Sequence, residues 1–322
     1  MFEKKSDIAA TLREVGLEPF TASVERLCRP AICFVEPEQP GLTRFGGAPD
    51  LPNKAVWPVR PGYSNGRKLE QAGSNRAHLG NAFTSAAPLH FIAQIALDAV
   101  ARFGVLKERL PDNGRLLFFW DVRCGPWIDS AESCRVIWDR SPIDQLVPRD
   151  PPAELAVPDQ HLASCFPLKS VAPLPVWSMP EQFMLEQLAE RTGDHELLAS
   201  LDDDDWADEW DSLYERRLSW RLTSGREVLP HRLCGWPFPE QDDPRVDAAV
   251  SAGGTKVIGR ALTAAESKQR LNDMHDWTLL LQVDLNRLAP RTFAEGLVYF
   301  VMREADLAAR NFDRVHAIYQ QT

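Results

Sequence analysis

A shift of 188 positions lays two separate segments of this 322-residue chain over themselves, and no other feature restricts its possible folds as much. Arg44, Gly47 and Pro49 fall on Arg232, Gly235 and Pro237, and the same shift puts Phe91, Gln94, Ile95 and Leu97 on Leu279, Gln282, Val283 and Leu285. In both copies 47 residues separate the loop glycine from the strand glutamine. A Gly-led aromatic strand follows each, GRLLFFW and GLVYFVM, six residues sooner in the second copy. One such match is cheap. Two at a shared offset describe a duplicated module, whose copies are expected to pack about a pseudo-twofold axis.

The recurring residues have physical roles. Gly47 and Gly235 are expected to take backbone angles closed to other residues, with Pro49 and Pro237 fixing the next turn. Gln94 and Gln282 interrupt otherwise apolar strands, and a buried amide must find partners for its donors and acceptors. Backbone groups of the Gly-Pro loop are one set of partners. A ligand in a cleft shared by the modules is the other.

Between the copies the composition changes. Eight prolines lie between Pro148 and Pro180, which reads as an extended connection over a surface. Helical stretches follow, the second with Trp206, Trp210 and Leu213 along one face. From Glu181 to Glu215 there are thirteen acidic residues and one basic, Arg191, so this segment carries -12 of a chain total of -10. A nearly neutral body with one acidic segment lacks the basic stripe that general nucleic-acid binding needs. Residues 62–87 are polar and read as an exposed excursion, and DLAARNFDRVHAIYQ predicts a closing helix. The apolar runs FIAQIAL and WTLLLQV are too short to span a bilayer, and MFEKKSDIAATL has no apolar core of a secretory signal. The expected place of work is the cytoplasm, with no membrane partner. The six cysteines lack C-x-x-C spacing and are expected as reduced thiols.

Taken together, GGAPDLP with VWP behind it, PLHFIAQIAL, LPDNGRLLFFWD, HRLCGWPFPEQ, WTLLLQVDL and GLVYFVMREADL resemble the YwqG-like family of bacterial proteins, over roughly residues 44–122 and 231–307. Gln241 sits at the family's Gln after the second loop, whereas Cys234 replaces that loop's first glycine. The resemblance implies an α+β fold with antiparallel sheets and internal pseudo-symmetry. The expected organisation is N-terminal helices over 1–30, a first module over 31–122, a Pro-rich connection and acidic helical insert over 123–222, and a second module with a C-terminal helix over 223–322. It implies no established activity. Neighbouring toxins of some relatives make an immunity role an expectation by association.

No phosphate loop, nucleophile elbow, zinc-protease or EF-hand signature occurs. His90 and His231 flank the module motifs and Asp121 ends a strand, so these three join Gly47, Pro49, Gln94, Gly235, Pro237 and Gln282 as cleft candidates. The ordinary role of such an Asp is to accept hydrogen bonds in the next turn. In the insert, Asp202, Asp203, Asp204, Asp205, Asp208 and Glu209 form a candidate docking surface with Trp206 and Trp210 as anchors. The competing reading is a solvated face with its tryptophans turned inward. The sequence favours a non-enzymatic binding protein for a basic partner, monomeric or weakly dimeric, with no cofactor and no metal. The alternative is an enzyme or small-ligand binder using the cleft.

Overall fold

In the computed structural model the described residues are 1–71, 74–156, 166–201, 204–218, 222, 224–253, 263–288 and 296–321. Their strands are β1 Arg29–Val35, β2 Arg44–Phe45, β3 Asp50–Pro52, β4 Val59–Arg60, β5 Ala87–Pro88, β6 His90–Ala96, β7 Arg115–Trp120, β8 Cys134–Asp139, β9 Leu146–Pro148, β10 Lys169–Ser170, β11 Ala172–Ser178, β12 Leu229–Leu233, β13 Trp277–Asp284, β14 Leu297–Arg303 and β15 His316–Gln320. Two antiparallel sheets dominate, one ordered β11-β1-β12-β13-β14-β15 and the other β10-β2-β6-β7-β8. With its helices this is an α+β fold. The inner faces share one core, containing Phe45, Ile92, Ile95, Phe118 and Trp120 from the smaller sheet and Leu233, Leu281, Val283, Phe300 and Ala317 from the larger. β6 and β7 are buried along their whole length, which is why HFIAQIA and RLLFFW read as continuous apolar runs rather than alternating ones.

The backbone register recurs as the sequence does. Arg44 stands opposite Gln94 and Arg232 opposite Gln282. A bulge interrupts β6 between Phe91 and Ala93, and another interrupts β13 between Leu279 and Leu281. Gly46 N donates to Ile92 O at 2.8 Å, and Cys234 N to Leu280 O at 3.0 Å. Leu97 N donates to Gly114 O and Leu285 N to Gly296 O, with both glycines left-handed at φ 81° and 85°. Phe118 and Phe300, which pair with Ala93 and Leu281 respectively, touch each other edge to face at 5.1 Å between ring centroids.

The strands flanking these units are exchanged. β1 precedes β2 in the chain but pairs with β12, while β10 precedes β12 and pairs with β2. Lys169 and Ser170 oppose Phe45 and Arg44 as Ile32 and Cys33 oppose Leu233 and Arg232.

A second, helical core lies apart from the sheets. The helices Asp7–Glu14 and Thr21–Leu27 pack with Gln182–Thr192, His195–Leu201 and Asp204–Leu218 around Ile8, Leu12, Val24, Leu185, Leu197 and Trp210. The N-terminal helices and the central insert therefore form one body, clamped by Ser23 and Arg26 on Asp194 at 2.8 and 2.6 Å. Gly193 ends the first insert helix at φ 67°, a left-handed position open to glycine at little cost.

Two local expectations are corrected. The closing segment is α-helical only over Glu304–Ala308, followed by a single 3-10 turn at Phe312–Arg314; Arg310 takes φ 58°, and His316–Gln320 is the edge strand β15 beside β14. Its apolar spacing came from two elements joined by a left-handed residue, and Ala317 and Ile318 enter different cores. Residues 62–87 are more than an exposed excursion, because Tyr63, Leu69, Leu79 and Phe83 bury a small core with Cys124 and Ile128. No helix among the described residues is long and apolar enough to cross a membrane.

Candidate functional site

The Gly-Pro loops hold the recurring glutamines. Gly46 and Gly47 take φ 62° and 71°, and Cys234 and Gly235 take 58° and 80°. In the first loop Gln94 Oε1 accepts from Asp50 N at 2.9 Å, and Nε2 donates to Leu42 O and Asp50 Oδ2, both at 2.9 Å. Arg44 completes the group with an ion pair to Asp50 at 2.7 Å. Burial alone would raise the Asp50 carboxyl, but the Arg44 guanidinium and the Gln94 amide outweigh it and hold the carboxyl low. In the second loop Gln282 Oε1 accepts from Phe238 N at 2.8 Å, and Arg232 Nη1 donates to Trp236 O at 2.7 Å. Phe238 occupies the place of Asp50, so the buried Gln282 Nε2 has no acceptor. Pro49 and Pro237 are buried beside these loops.

The other cleft candidates are also engaged. Asp121 receives Arg60 Nε at 2.5 Å and Tyr63 OH at 2.6 Å on one oxygen, and the amides of Arg123 and Cys124 at 3.1 Å on the other. Arg60 continues to the carbonyls of Pro61, Ala82 and Ser85. The cluster pins the chain at Arg60–Tyr63 and at Ala82–Ser85 to the end of β7. Sequence reading missed Arg60 and Tyr63, which lie about sixty residues from Asp121 with no pattern to link them. His90 is buried nearby, and burial lowers its basicity against the charge of Asp121.

His231 is fully buried with its ring against Phe45 at 4.1 Å. Its Nδ1 accepts from Asp284 N at 3.1 Å. The residue 188 positions earlier is Thr43, whose Oγ1 accepts from Ala96 N at the same distance. His231 thus does a threonine's work. Burial first, then Lys169, pushes its pKa down to about 3. Among the cleft candidates, the structure brings together Gln94 with its own loop, Gln282 with its own loop, and His90 with Asp121.

The acidic insert is only partly within the described residues: Asp202 and Asp203 lie outside them, and so does the side chain of Asp204. Asp205, Asp208 and Glu209 are exposed. Trp206 and Trp210 are not surface anchors. They are buried at 8% and 0% exposure, stacked on each other at 5.5 Å, with Phe20 edge-on to Trp206. Apolar spacing at i, i+4, i+7 marks the face a helix buries, and here that face closes the helical core.

One constellation went unnoticed in the sequence. At one end of the larger sheet Trp236 lies under the guanidinium of Arg29 at 3.6 Å, with that of Arg245 at 4.9 Å. Arg245 is bound to Asp243 by a buried ion pair at 2.5 Å. Burial and the charge of Arg245 push Arg29 down to about 9. Glu181, half-buried among Asp243, Asp211 and Asp242, is pushed up to about 7, chiefly by burial. These residues come from four distant parts of the chain, so no spacing announces them. Among the described residues, no group of three or more His, Cys, Asp or Glu side chains is arranged to hold a metal ion. Cys28, Cys33, Cys124, Cys134 and Cys234 are free and buried, and Cys165 lies outside the described residues.

A search of curated proteins finds no match. A family profile described as a domain of unknown function (DUF1963) matches residues 43–320, from the strand before the first Gly-Pro loop to the last strand of the larger sheet. The chain belongs to this family.

Proposed function

We propose that this chain is a non-enzymatic, cytoplasmic binding protein built from two tandem copies of one YwqG-like module, and that it captures a basic protein through the acidic outer face of the helix Asp204–Leu218. The partner class is a bacterial toxin, which makes the protein an immunity protein. The observation that carries this reading is the division of that helix. Trp206, Trp210 and Leu213 are spent on the helical core, while Asp205, Asp208 and Glu209 point to solvent. Their accumulated charge exceeds what a helix start uses, and an acidic face accelerates capture of a basic partner. What weighs against a catalytic cleft between the copies is that Gln94, Asp121 and His231 hold backbone, and that Phe118 and Phe300 fill the space between the sheets.

The test is affinity capture from the native host at low salt, followed by titration of the recovered partner. The triple variant D205N/D208N/E209Q is expected to slow association about tenfold or more and to flatten its salt dependence. A partner whose association rate ignores both the variant and the salt would sink the proposal.

A further inference from the structure

The two copies of the module close the outer faces of their sheets differently. In the second copy the helix Pro244–Ala252 does so, with Ala248 and Ala249 packed on Trp277, Leu279, Tyr299 and Val301. The shift of 188 lays residues 56–64 on that helix, but Pro58 and Pro61 keep this stretch from becoming one. The first copy is closed instead by Leu51, Ala55 and Trp57 over Leu89, Phe91, Leu117 and Phe119. Extended chain lying on a sheet turns part of its side chains outward, and here they are apolar. Four of the seven large apolar side chains exposed among the described residues are Val56, Val59, Ile143 and Val147, at 85, 53, 64 and 40% exposure.

The pairing of β3 with β9 joins the stretches that carry them. Leu51 opposes Val147 and Pro52 opposes Leu146. A turn closed by Ala55 N on Pro52 O at 2.8 Å leads into Val56, and one closed by Gln145 N on Pro142 O at 3.0 Å holds Ile143 just before β9. Arg149 fastens the unit, with its N on Pro49 O at 2.9 Å and Nη2 on Asn53 O at 2.8 Å. Pro148 removes a backbone donor from β9, which disfavours addition of a further strand and leaves contact to the side chains.

The charges around this patch have both signs and are unspent. Lys54, Asp144 and Asp150 are exposed, and none has a side-chain partner among the described residues. The Arg149 guanidinium meets only backbone carbonyls. A rim of one sign would call for a partner of the opposite sign. A rim of two bases and two acids complements itself, because a twofold rotation can bring each acid to a base of the other copy.

We propose that two copies of this chain pair through this patch across a twofold axis. Val56, Val59, Ile143 and Val147 are buried against the same residues of the second copy, and Lys54 and Arg149 face its Asp144 and Asp150. These residues lie outside the helix Asp204–Leu218, so the pairing stands apart from the capture of a basic partner.

The test is sedimentation equilibrium of the full chain from about 1 to 500 μM, with circular dichroism as the check on folding of every variant. The parent is expected to dimerise with a Kd on the order of 10 μM, and V56S/I143S to weaken dimerisation about tenfold or more. D144K/D150K leaves a rim of positive charge only, and K54E makes the rim predominantly negative. Each is expected to self-associate about tenfold more weakly than the parent, and the two mixed in equal amounts to pair about as tightly as the parent does, a rescue that damage to the fold would not produce. A parent that stays monomeric throughout overturns the proposal, as does a V56S/I143S dimer as tight as the parental one, or a mixture of the charge variants that fails to pair. Co-sedimentation of a monomeric parent with anionic lipid vesicles, lost in V56S/I143S, would assign the patch to a lipid surface and equally overturn it.

Discussion

The buried His231 makes stability depend on pH with a definite sign. In the fold its ring is fully enclosed, Nδ1 is occupied as an acceptor, and its pKa is pushed to about 3 from 6.5. The neutral form is the one the fold accepts, so the unfolded chain binds the proton first as pH falls. The His231 contribution is therefore fully present above 6.5 and is lost as the pH drops below that value, until the folded-state pKa is reached. At pH 5 the medium lies 1.5 units below the unfolded pKa, and at about 1.4 kcal/mol per unit the loss from this residue is about 2 kcal/mol relative to pH 7.

The perturbation that isolates this effect is His231→Asn, which keeps an acceptor for Asp284 N and removes the titration. It sacrifices the contact with Phe45, so the variant is less stable at pH 7. The informative quantity is the difference in pH slope, not that offset. Urea unfolding followed by circular dichroism at pH 7 and pH 5 is expected to show the parent losing about 2 kcal/mol more than the variant. The variant is not expected to be flat, because burial also pushes His316 down to about 4. Equal losses in the two proteins, or a His231 resonance titrating near 6.5 in the folded parent, would refute the reasoning.

Phe118→Ala and Phe300→Ala are each expected to cost about 3–5 kcal/mol in urea unfolding, and their double-mutant cycle to show a coupling of about 0.5–1.5 kcal/mol, because the rings touch. Strict additivity would place no energy in that contact. Gly46→Ala is expected to cost about 2 kcal/mol or more, since a Cβ there would collide with the carbonyl oxygens of Pro167 and Phe166 in a left-handed conformation. Cys234→Gly, at the equivalent position, is expected to change stability by less than about 1 kcal/mol, because relief of the left-handed conformation offsets the lost thiol. Equal melting temperatures for these two variants would contradict the steric argument.

The sequence announced contacts whose chemistry is local or recurrent. A glutamine inside an apolar strand, at a fixed distance from a glycine-proline loop, pointed to the hydrogen bonds that Gln94 makes to Asp50 N and Leu42 O. The same logic reached Asp121, whose turn amides are two and three residues away. Contacts that depend on how distant elements dock left no such trace. The exchange of β1 and β10 between the sheets conserves every local pattern, because either neighbour satisfies the same edge of β2 or β12. The inward turn of Trp206 and Trp210 depended on the N-terminal helices being present to cover them. The stack of Arg29, Trp236 and Arg245 joins residues with no common periodicity. In the closing segment, one left-handed residue at Arg310 converts an apparent amphipathic helix into a helix followed by a strand.

The two loops are alike in backbone and unlike in how fully they satisfy their glutamine. Gln94 makes three hydrogen bonds, and Asp50 takes part in two of them while also holding Arg44. Replacing it with leucine would orphan the Asp50 amide and the Leu42 carbonyl and strip a donor from a buried carboxylate. Gln282 holds the Phe238 amide, and its own amide nitrogen has no acceptor because phenylalanine stands where the acid would be. Its replacement orphans one donor and removes another that is already unsatisfied. An unmade hydrogen bond at a buried group costs about 1–3 kcal/mol. Gln94→Leu is therefore expected to destabilise by about 3–5 kcal/mol and Gln282→Leu by about 1–2 kcal/mol in urea unfolding at pH 7. The second loop tolerates its deficit because other residues hold it. Trp236 N donates to Ser178 Oγ at 2.9 Å, Trp236 Nε1 donates to Leu27 O at 2.7 Å, and Tyr299 OH donates to Phe238 O at 2.7 Å. Leu117 pairs with Gln94 where Tyr299 pairs with Gln282, so the first loop has no such hydroxyl, and Gln94 and Arg44 are what hold its buried acid. Equal losses for the two leucine variants would show that the glutamines carry the same load and that the asymmetry around them has no energetic consequence.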